Sequence, residues 1–239
     1  MPISGPVGTA VSARNAAAMN NLKQIALAMH MHETAKRRLP AAFSADEDGK
    51  PLLSWRVHIL PYIGEKALYE RFHLDEPWDS PHNKKLINIM PRIYASPSRP
   101  GPPGMTPYMT VRGEDTAFPG KDGVKMSEMK DGLSNTIMVV EGAKQVPWTS
   151  PSDFEYDDKN PARGLAVDPR RGGFAAAFCD GHVQFIHAGV DPKTLKATFT
   201  RNGGEQVSPS DLKGRPRRVV PAAKRPATPE QAELIEEGR

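Results

Sequence analysis

The chain has 239 residues, 38% of them hydrophobic, with 20 glycines and 24 prolines, so it suits one sizeable, loop-rich domain with appendages. Its single cysteine excludes an internal disulfide framework and a metal cage built from cysteines. The net charge of +4 arises from six basic residues between Lys213 and Arg225, without which the remaining chain carries −2.

The first predicted element is one long amphipathic helix over residues 10–36. Its apolar stripe recurs at spacings of three, four and seven residues: Val11, Ala18, Leu22, Ile25 and Met29. Leu39-Pro40 bounds this helix. No window reaches the ~18 apolar residues of a membrane span, and the first residues lack the features of a signal peptide, so we expect a chain that is soluble as given.

Residues 54–90 are predicted to form short helices. Ser54 is a suitable N-cap for "WRVHILPYI", and Gly64 separates this segment from "EKALYERF". In "EPWDSPHNKKLINIM", Ser80 as N-cap and Pro81 at the first helical position predict a helix that continues to about residue 89.

From residue 92 the sequence becomes typical of β-structure, and we predict a sheet over about 92–187. The supporting runs are short and separated by proline and glycine: "RIYAS", "YMTVRG" and "NTIMVVEG". Asp191 as N-cap and Pro192 after it predict a short helix in "DPKTLKATF". The expected fold class is therefore α+β, with the long helix packed on an antiparallel sheet, additional short helices and long loops, over residues 1–205.

Residues 206–239 form a basic, proline-rich tail that we expect to be disordered. The tail has no aromatic residues between its cations, so we expect no nucleic-acid partner. Thr228 and Gln231 form a capping box, which indicates one short helix at the end.

The stretch "FAAAFCDGHVQFI" contains the cysteine three residues before a histidine. Asp180-Gly181 between apolar runs predicts a two-residue type I′ hairpin in which Cys179 faces His182. Alternation then predicts one core face, made of Phe174, Ala176, Phe178, Val183 and Phe185. The alternative is a thiol nucleophile with its base. We favour an incidental pair, because no orienting group or oxyanion donor is evident nearby.

Seven histidines raise the question of a metal site. The two histidines of "HMHE" diverge around a helix, and no His-Glu-x-x-His motif occurs. Folding would have to bring His73, Asp75 and His82 together, and "DEDG" at residues 46–49 lacks the full calcium-loop pattern. We therefore expect no metal site, no cofactor and no catalytic residue, and we assign no binding residue.

In four segments the chain resembles a large bacterial family of pilin-like proteins: "NNLKQIALAMHMHE", "SWRVHILPYIGEKALYERFHLDEPWDSPHNKKL", "TAFPG" with "DGLSNTIMVVE", and "GGFAAAFCDGHVQFI". The resemblance covers roughly residues 11–205. It identifies a set of family-motif residues, which we expect to be structural: Trp55, Trp78, Asp79, Ser80, Pro81, Asp131, Gly132, Ser134, Asn135, Thr136, Glu141, Asp180 and Gly181.

Members of that family usually begin with a prepilin-type segment and end in a motif of His, nine residues, then Asp-Gly. The prepilin segment is missing here, so we expect that a membrane anchor was removed or that this copy works without one. The position ten before Asp180 is Arg170, so only Asp180-Gly181 remains of the terminal motif. The resemblance implies a pilin-like fold and a location in the bacterial cell envelope, without an established biochemical activity.

Three hypotheses follow. The leading one is a non-enzymatic, pseudopilin-like protein that acts through protein–protein association, including self-association, in a type II secretion or type IV pilus-like assembly. The second is an extracytoplasmic binding module for a small solute or glycan that uses Trp78, Trp148 and the loops. The third is a hydrolase that uses Cys179 or a histidine–carboxylate metal site.

Overall fold

The longest element is helix α1, Pro6–Lys36, in a computed structural model that describes residues 6–168, 172–205, 207–208 and 210–213. The predicted helix is confirmed, and most of its predicted stripe is buried: Ala18, Leu22, Ile25 and Met29. Val11 is only half-buried. The helix ends because Arg37 adopts the left-handed conformation, with φ of 61°.

A five-stranded sheet forms the second layer, which confirms the α+β class. Its strands are β3 Met105–Arg112, β4 Ile137–Pro147, β5 Phe154–Glu155, β6 Gly173–Phe178 and β7 Val183–His187, in the order β5-β3-β4-β6-β7. The sheet is mixed, because the short strand β5 runs parallel to β3 while the other pairs are antiparallel. A separate hairpin is formed by β1, Phe43–Ala45, and β2, Pro51–Ser54.

Both faces of the sheet are buried, so the sheet separates two cores. The first core contains the buried face of α1 together with Val139, Ala175 and Ala177 from the sheet. The second core contains Val140 and Ala176, and it is closed by the segment after β7. A bulge between Ile137 and Val139 interrupts the alternation of β4. Met138 and Val139 therefore both lie in the first core.

The short helices agree with the sequence in three places. Ser54 caps α2, Trp55–His58, by accepting a hydrogen bond from Arg56 N, and α3 spans Lys66–Tyr69. Gly64, with φ of 82°, ends the 3-10 helix Leu60–Ile63. Asp191 caps α4, Pro192–Ala197, through two backbone N–H groups.

Two predicted elements are wrong. The helix expected to continue to residue 89 is only the 3-10 helix Asn83–Leu86, because the Asn83 amide bonds the carbonyl groups of the preceding loop at His73, Glu76 and Pro77. The strand expected at "RIYAS" is the 3-10 helix Arg92–Tyr94. Buried Tyr94 anchors it by donating from Oη to the Arg56 carbonyl oxygen at 2.7 Å.

Beyond α4, Val207 and Leu212 lie in the second core, and a 3-10 turn spans Asp211–Lys213. The predicted domain limit at residue 205 stays a prediction. The basic tail beyond residue 213, the capping box at Thr228 and Gln231, and Arg170 lie outside the described residues.

Candidate functional site

The β6–β7 hairpin closes with a three-residue loop, and the two-residue turn predicted at Asp180-Gly181 is wrong. Phe178 N donates to the His182 carbonyl oxygen at 2.9 Å, and Ala177 pairs with Val183. Gly181 has φ of 89°, as the glycine of a three-residue hairpin loop requires. The pairing is shifted by one residue from the predicted one, so Cys179 does not face His182.

The shift separates the two side chains that suggested nucleophilic chemistry. Cys179 is buried in the first core against α1, whereas the His182 ring stacks on Phe178 of the second core, with ring centroids 4.3 Å apart. His182 Nδ1 bonds Asp180 Oδ1 at 2.6 Å. Burial, with the nearby Asp180 carboxylate, raises the pKa of the Cys179 thiol far above its usual range, which opposes formation of a thiolate.

The single predicted core face of the hairpin is also wrong in β7. Val183 and Phe185 pair with Ala177 and Ala175, which belong to the first core, and not with the residues facing the second core. Because a shift of one residue exchanges the faces of a strand, the β7 residue that joins Phe174 in the second core is Ile186.

The family-motif turn at residues 131–136 holds the chain beyond α4. Asp131 Oδ2 accepts from Gly203 N at 2.7 Å, and its Oδ1 accepts from Gly204 N at 2.8 Å. Asn135 Nδ2 donates to the Asp131 carbonyl oxygen at 2.8 Å. Asp131 is buried, so its carboxylate joins the turn to the end of the second core.

The same turn receives the tip of the hairpin. Thr136 Oγ1 donates to the carbonyl oxygen of Gly132, whose φ is 97°. The Thr136 carbonyl oxygen accepts from Cys179 N at 2.8 Å, and the Leu133 carbonyl oxygen accepts from Asp180 N at 3.1 Å. Two family motifs that are far apart in sequence therefore meet through backbone hydrogen bonds.

The other motif residues differ in how deeply they are buried. Trp78 is half-buried against the first core, and Ser80 is buried, with its Oγ accepting from Asn83 N at 3.1 Å. Four members of the whole set are exposed: Asp79, Pro81, Ser134 and Asp180.

Trp55 belongs to a buried polar cluster that sequence reasoning missed. Asp153 Oδ1 accepts from Trp55 Nε1 at 3.0 Å, from Arg56 Nη2 at 2.8 Å and from Thr110 N at 2.9 Å. Arg56 also donates to the Tyr108 carbonyl oxygen and to Ser54 Oγ. The side chains of Arg56 and Asp153 are both fully buried. The one signal was an arginine between apolar Trp55 and Val57, and it does not indicate which acid is the partner.

Burial opposes the charge on both members of this pair. It lowers the pKa of Arg56 and raises the pKa of Asp153, while their mutual attraction acts in the opposite direction on each. Asp153 Oδ2 has no hydrogen-bond partner among the described residues. The cluster joins α2, β3 and the loop before β5, which is a structural role.

Glu141 differs from the other motif residues because its buried carboxyl lies beside a cavity. This cavity, which we call the Glu141 cavity, has a volume of about 260 Å³ and lies between the first half of α1 and the sheet. Charged and polar groups at its boundary are Arg14, Asn15, Ser98, Arg99, Glu141 and Asp168, and the apolar part includes Val11, Ala18, Phe174 and Phe185.

The Glu141 carboxyl is held by hydroxyl groups. Ser96 Oγ donates to Oε1 at 2.5 Å, and Ser98 Oγ donates to the same oxygen at 3.2 Å. Burial raises the pKa of Glu141 above its ordinary value, although these hydrogen bonds and Arg99 oppose the increase. Such a site can exchange a proton or accept hydrogen bonds from a small polar ligand.

The two histidines considered for a metal site do meet, but as a stack. The rings of His73 and His82 are parallel with centroids 3.6 Å apart, so their nitrogen atoms do not converge on one point. His73 Nδ1 bonds Glu76 Oε1 at 2.8 Å, and His82 Nε2 donates to the Arg71 carbonyl oxygen at 2.8 Å. Within the described part of the chain, no three histidine, cysteine, aspartate or glutamate side chains are grouped to hold a metal ion.

The calcium-loop candidate at residues 46–49 forms the β1–β2 turn. Asp46 Oδ1 accepts from Lys50 N at 2.8 Å, and Gly49 has φ of 82°. The Asp46 carboxylate therefore stabilises the β1–β2 hairpin.

The aromatic surface suggested for a glycan does not form. Trp148 is fully buried, stacks on Tyr94 and donates from Nε1 to the Ile87 carbonyl oxygen at 2.9 Å. The hypothesis of a binding surface that includes both Trp78 and Trp148 is therefore wrong.

The fold and these clusters define an α+β protein with a long helix over a mixed sheet and two interior polar sites. The chain belongs to the family described as "Protein of unknown function (DUF1559)", which matches residues 12–170, about two thirds of its length. The match includes the Arg56–Asp153 cluster, the 131–136 turn and Glu141. No curated protein and no solved structure gives a significant match.

Among the described helices, none is both long and apolar enough to cross a membrane. This holds for α1, whose exposed residues include Arg14, Lys23 and Gln24.

Proposed function

We propose that this protein is a non-enzymatic, pilin-like subunit of the bacterial cell envelope that acts by association with other copies of itself in a type II secretion or type IV pilus-like assembly. Membership of the family and the long helix over the sheet support the proposal. The loops between strands would present a variable surface to other partners.

The observation that carries the proposal is the outward face of α1. Leu27 and Met31 lie one helical turn apart there and expose 61% and 46% of their surface. Asn20 and Gln24 continue the exposed face. A helix that presents two large apolar side chains to solvent is suited to pack against another protein.

Charge favours a second copy as the partner. From Val11 to Met31 the helix carries Arg14 and Lys23 and no acidic residue. The β1–β2 turn of the same chain exposes three acidic side chains, at residues 46–48. A contact between two different surfaces of identical copies leaves both surfaces free at the ends, which produces an open-ended filament.

The experiment is sedimentation velocity over a range of concentrations, repeated with a version of the chain tethered to vesicles. Leu27→Glu places a charge in the centre of the outward face and should reduce association. Ile89→Glu is the matched control, because Ile89 is also a large apolar side chain and is 42% exposed elsewhere on the surface. It should associate as the unmodified chain does.

The proposal is wrong if the unmodified chain remains monomeric in solution and on vesicles, and crosslinking in the envelope recovers no protein partner. It is also wrong if Leu27→Glu and Ile89→Glu reduce association equally, because the outward face of α1 would then have no special role.

The Glu141 cavity favours a second candidate function, a binding module for a small polar solute. Its buried carboxyl and the arginine side chains at its boundary would bind a molecule that carries both hydroxyl or ammonium groups and an acid. A thermal-shift panel of sugars and amino acids tests this candidate. Glu141→Gln should remove the response to a true ligand, and a flat panel would argue against the candidate.

The hydrolase hypothesis has less support. Cys179 is buried and does not face His182, so the base that the sequence suggested is not positioned to activate it. Hydrolysis of an ester panel by the unmodified chain, lost in Cys179→Ala, would reverse this preference.

A further inference from the structure

A second cavity, separate from the Glu141 cavity, lies beside the C-terminal end of α1. Its volume is about 420 Å³. Polar side chains from five segments line it, and we call it the basic cavity: His32, Lys36, His58, Tyr62, Tyr69 and Lys121.

The charge of the basic cavity is one-sided. Lys36 and Lys121 contribute two ammonium groups, and none of the described residues that line the cavity is acidic. The carbonyl groups at the end of α1 add only a partial negative charge, so the ammonium groups dominate. Such a lining attracts an anion.

His58 supplies a second, independent indication of a ligand. Its Nε2 is shielded from water and has no hydrogen-bond partner among the described residues. A buried ring nitrogen without a partner is unfavourable, and an oxygen atom that accepts from Nε2 would remove the penalty. Burial, with a smaller contribution from His32, lowers the pKa of His58 to about 4.

His32 is oriented by its surroundings. Its Nδ1 donates to the Arg38 carbonyl oxygen at 3.1 Å, because a carbonyl oxygen can only accept, and its ring packs edge-on against Tyr62 with centroids 5.6 Å apart. Burial lowers the pKa of His32, against the Arg38 hydrogen bond, and Lys36 lowers it further. The effect of Lys36 shows that its ammonium group acts on this site, where it would attract an anion.

We propose that the basic cavity binds the oxyanion of a sugar-sized molecule, such as a hexuronate or a sugar phosphate. The volume exceeds that of a single inorganic ion and lies in the range of small-ligand sites. The lysine ammonium groups and His58 Nε2 would donate to the oxyanion. The phenol groups of Tyr62 and Tyr69 would contact the remaining polar ring. The proposal does not depend on association through α1.

Binding should strengthen as the pH falls from 7 to 5, because an anion favours the charged forms of the imidazoles. The titratable groups that line the cavity with His58 are His32 and Lys36 from α1, Tyr62, Tyr69 and Lys121, and His32 acts on His58 directly. Burial lowers the pKa of both imidazoles in the free protein, and a bound anion would raise it, so that protonation accompanies binding.

The test is isothermal titration of the full chain with glucuronate, glucose 6-phosphate and neutral glucose, at matched ionic strength and at pH 5, 6 and 7. We expect both anions to bind, glucose not to bind, and sulfate to compete. The anion that binds with the higher affinity shows whether the cavity prefers a carboxylate or a phosphate. Lys121→Gln should weaken binding about tenfold, since it removes a charge-assisted contact.

Lys23→Gln is the matched control, because it removes the same charge from an exposed position elsewhere on α1. His58→Gln should reduce the pH dependence of the dissociation constant. If this variant does not fold, Lys121→Gln still tests the proposal, because Lys121 is exposed and its substitution should not affect folding. The proposal is overturned if neither anion binds at millimolar concentration, or if Lys23→Gln and Lys121→Gln weaken binding equally.

Discussion

The two halves of α1 belong to one continuous helix, yet they are held in different ways. In the second half, Leu22, Ile25 and Met29 have no exposed surface and pack on the first core. In the first half, Val11 and Asn15 are only half-buried and stand over the Glu141 cavity. The difference lies in what is beneath the helix, since one half covers apolar side chains and the other covers a polar site. The second half is therefore held by apolar packing, whereas the first half borders a cavity.

The largest expected effect comes from breaking the buried polar cluster around Arg56 and Asp153. In Asp153→Ala, Arg56 becomes a buried charge without its partner, and Trp55 Nε1 and Thr110 N lose their acceptor. Loss of one member of a buried ion pair costs about 3–5 kcal/mol. Urea unfolding measures this change in the free energy of unfolding.

Asp158→Ala is the matched control for that experiment. Asp158 pairs with Lys196 on the surface, where water screens the charges, so little change is expected. Equal effects of the two substitutions would contradict a supporting role for the buried cluster.

A direct comparison of the two halves comes next. Leu22→Ala should lower the free energy of unfolding by about 2–5 kcal/mol, because it leaves a cavity in the first core. Val11→Ala should change it by less than about 1 kcal/mol, because Val11 already borders open space. If the two variants lose similar stability, the first half is as tightly held as the second.

We expect acid to lower the free energy of unfolding through His58, which lines the cavity beside the C-terminal end of α1. Burial makes the folded protein bind this proton less tightly than the unfolded chain does, so stability is present above pH 6.5 and is lost as the pH falls toward 4. The loss attributable to His58 is about 3 kcal/mol. The measurement is the difference between the unmodified chain and His58→Gln in chemical unfolding at each pH. A constant difference from pH 7 to pH 4 would rule out this role.

The smallest effect is expected for Glu141, which lies beside the cavity beneath the first half of α1. The raised pKa of Glu141 means that the folded state opposes ionisation, so the contribution of this group becomes less favourable as the pH rises through its ordinary value. Glu141→Gln should therefore raise the melting temperature at neutral pH. Exposed Glu155 supplies the control substitution Glu155→Gln, for which we expect no change. A lower melting temperature in Glu141→Gln would show that the carboxylate is needed in its charged form.

The sequence was most informative where local chemistry determines local structure. The caps at Ser54 and Asp191 are found as predicted, and so is the apolar stripe of α1 except at Val11. Each of these signals acts within a few residues, through a side chain and a nearby backbone group or through the period of a helix.

The hairpin register could not be predicted, because two loops were compatible with the same letters. A two-residue turn and a three-residue loop both place glycine at positive φ. The apolar pattern did not discriminate between them either, since β6 is buried on both faces. The Asp153 partner of Arg56 lies 97 residues further along the chain, at a distance where no local pattern applies.

The position of Cys179 has a practical consequence. It is the single cysteine of the chain, and it is sealed between α1 and the sheet at the tip of the hairpin. A thiol reagent would react with it only in molecules where this contact has opened. The ratio of the labelling rate to that of the unfolded chain therefore gives the free energy of local opening. The natural sequence thus includes its own probe of how firmly the helix is attached to the sheet.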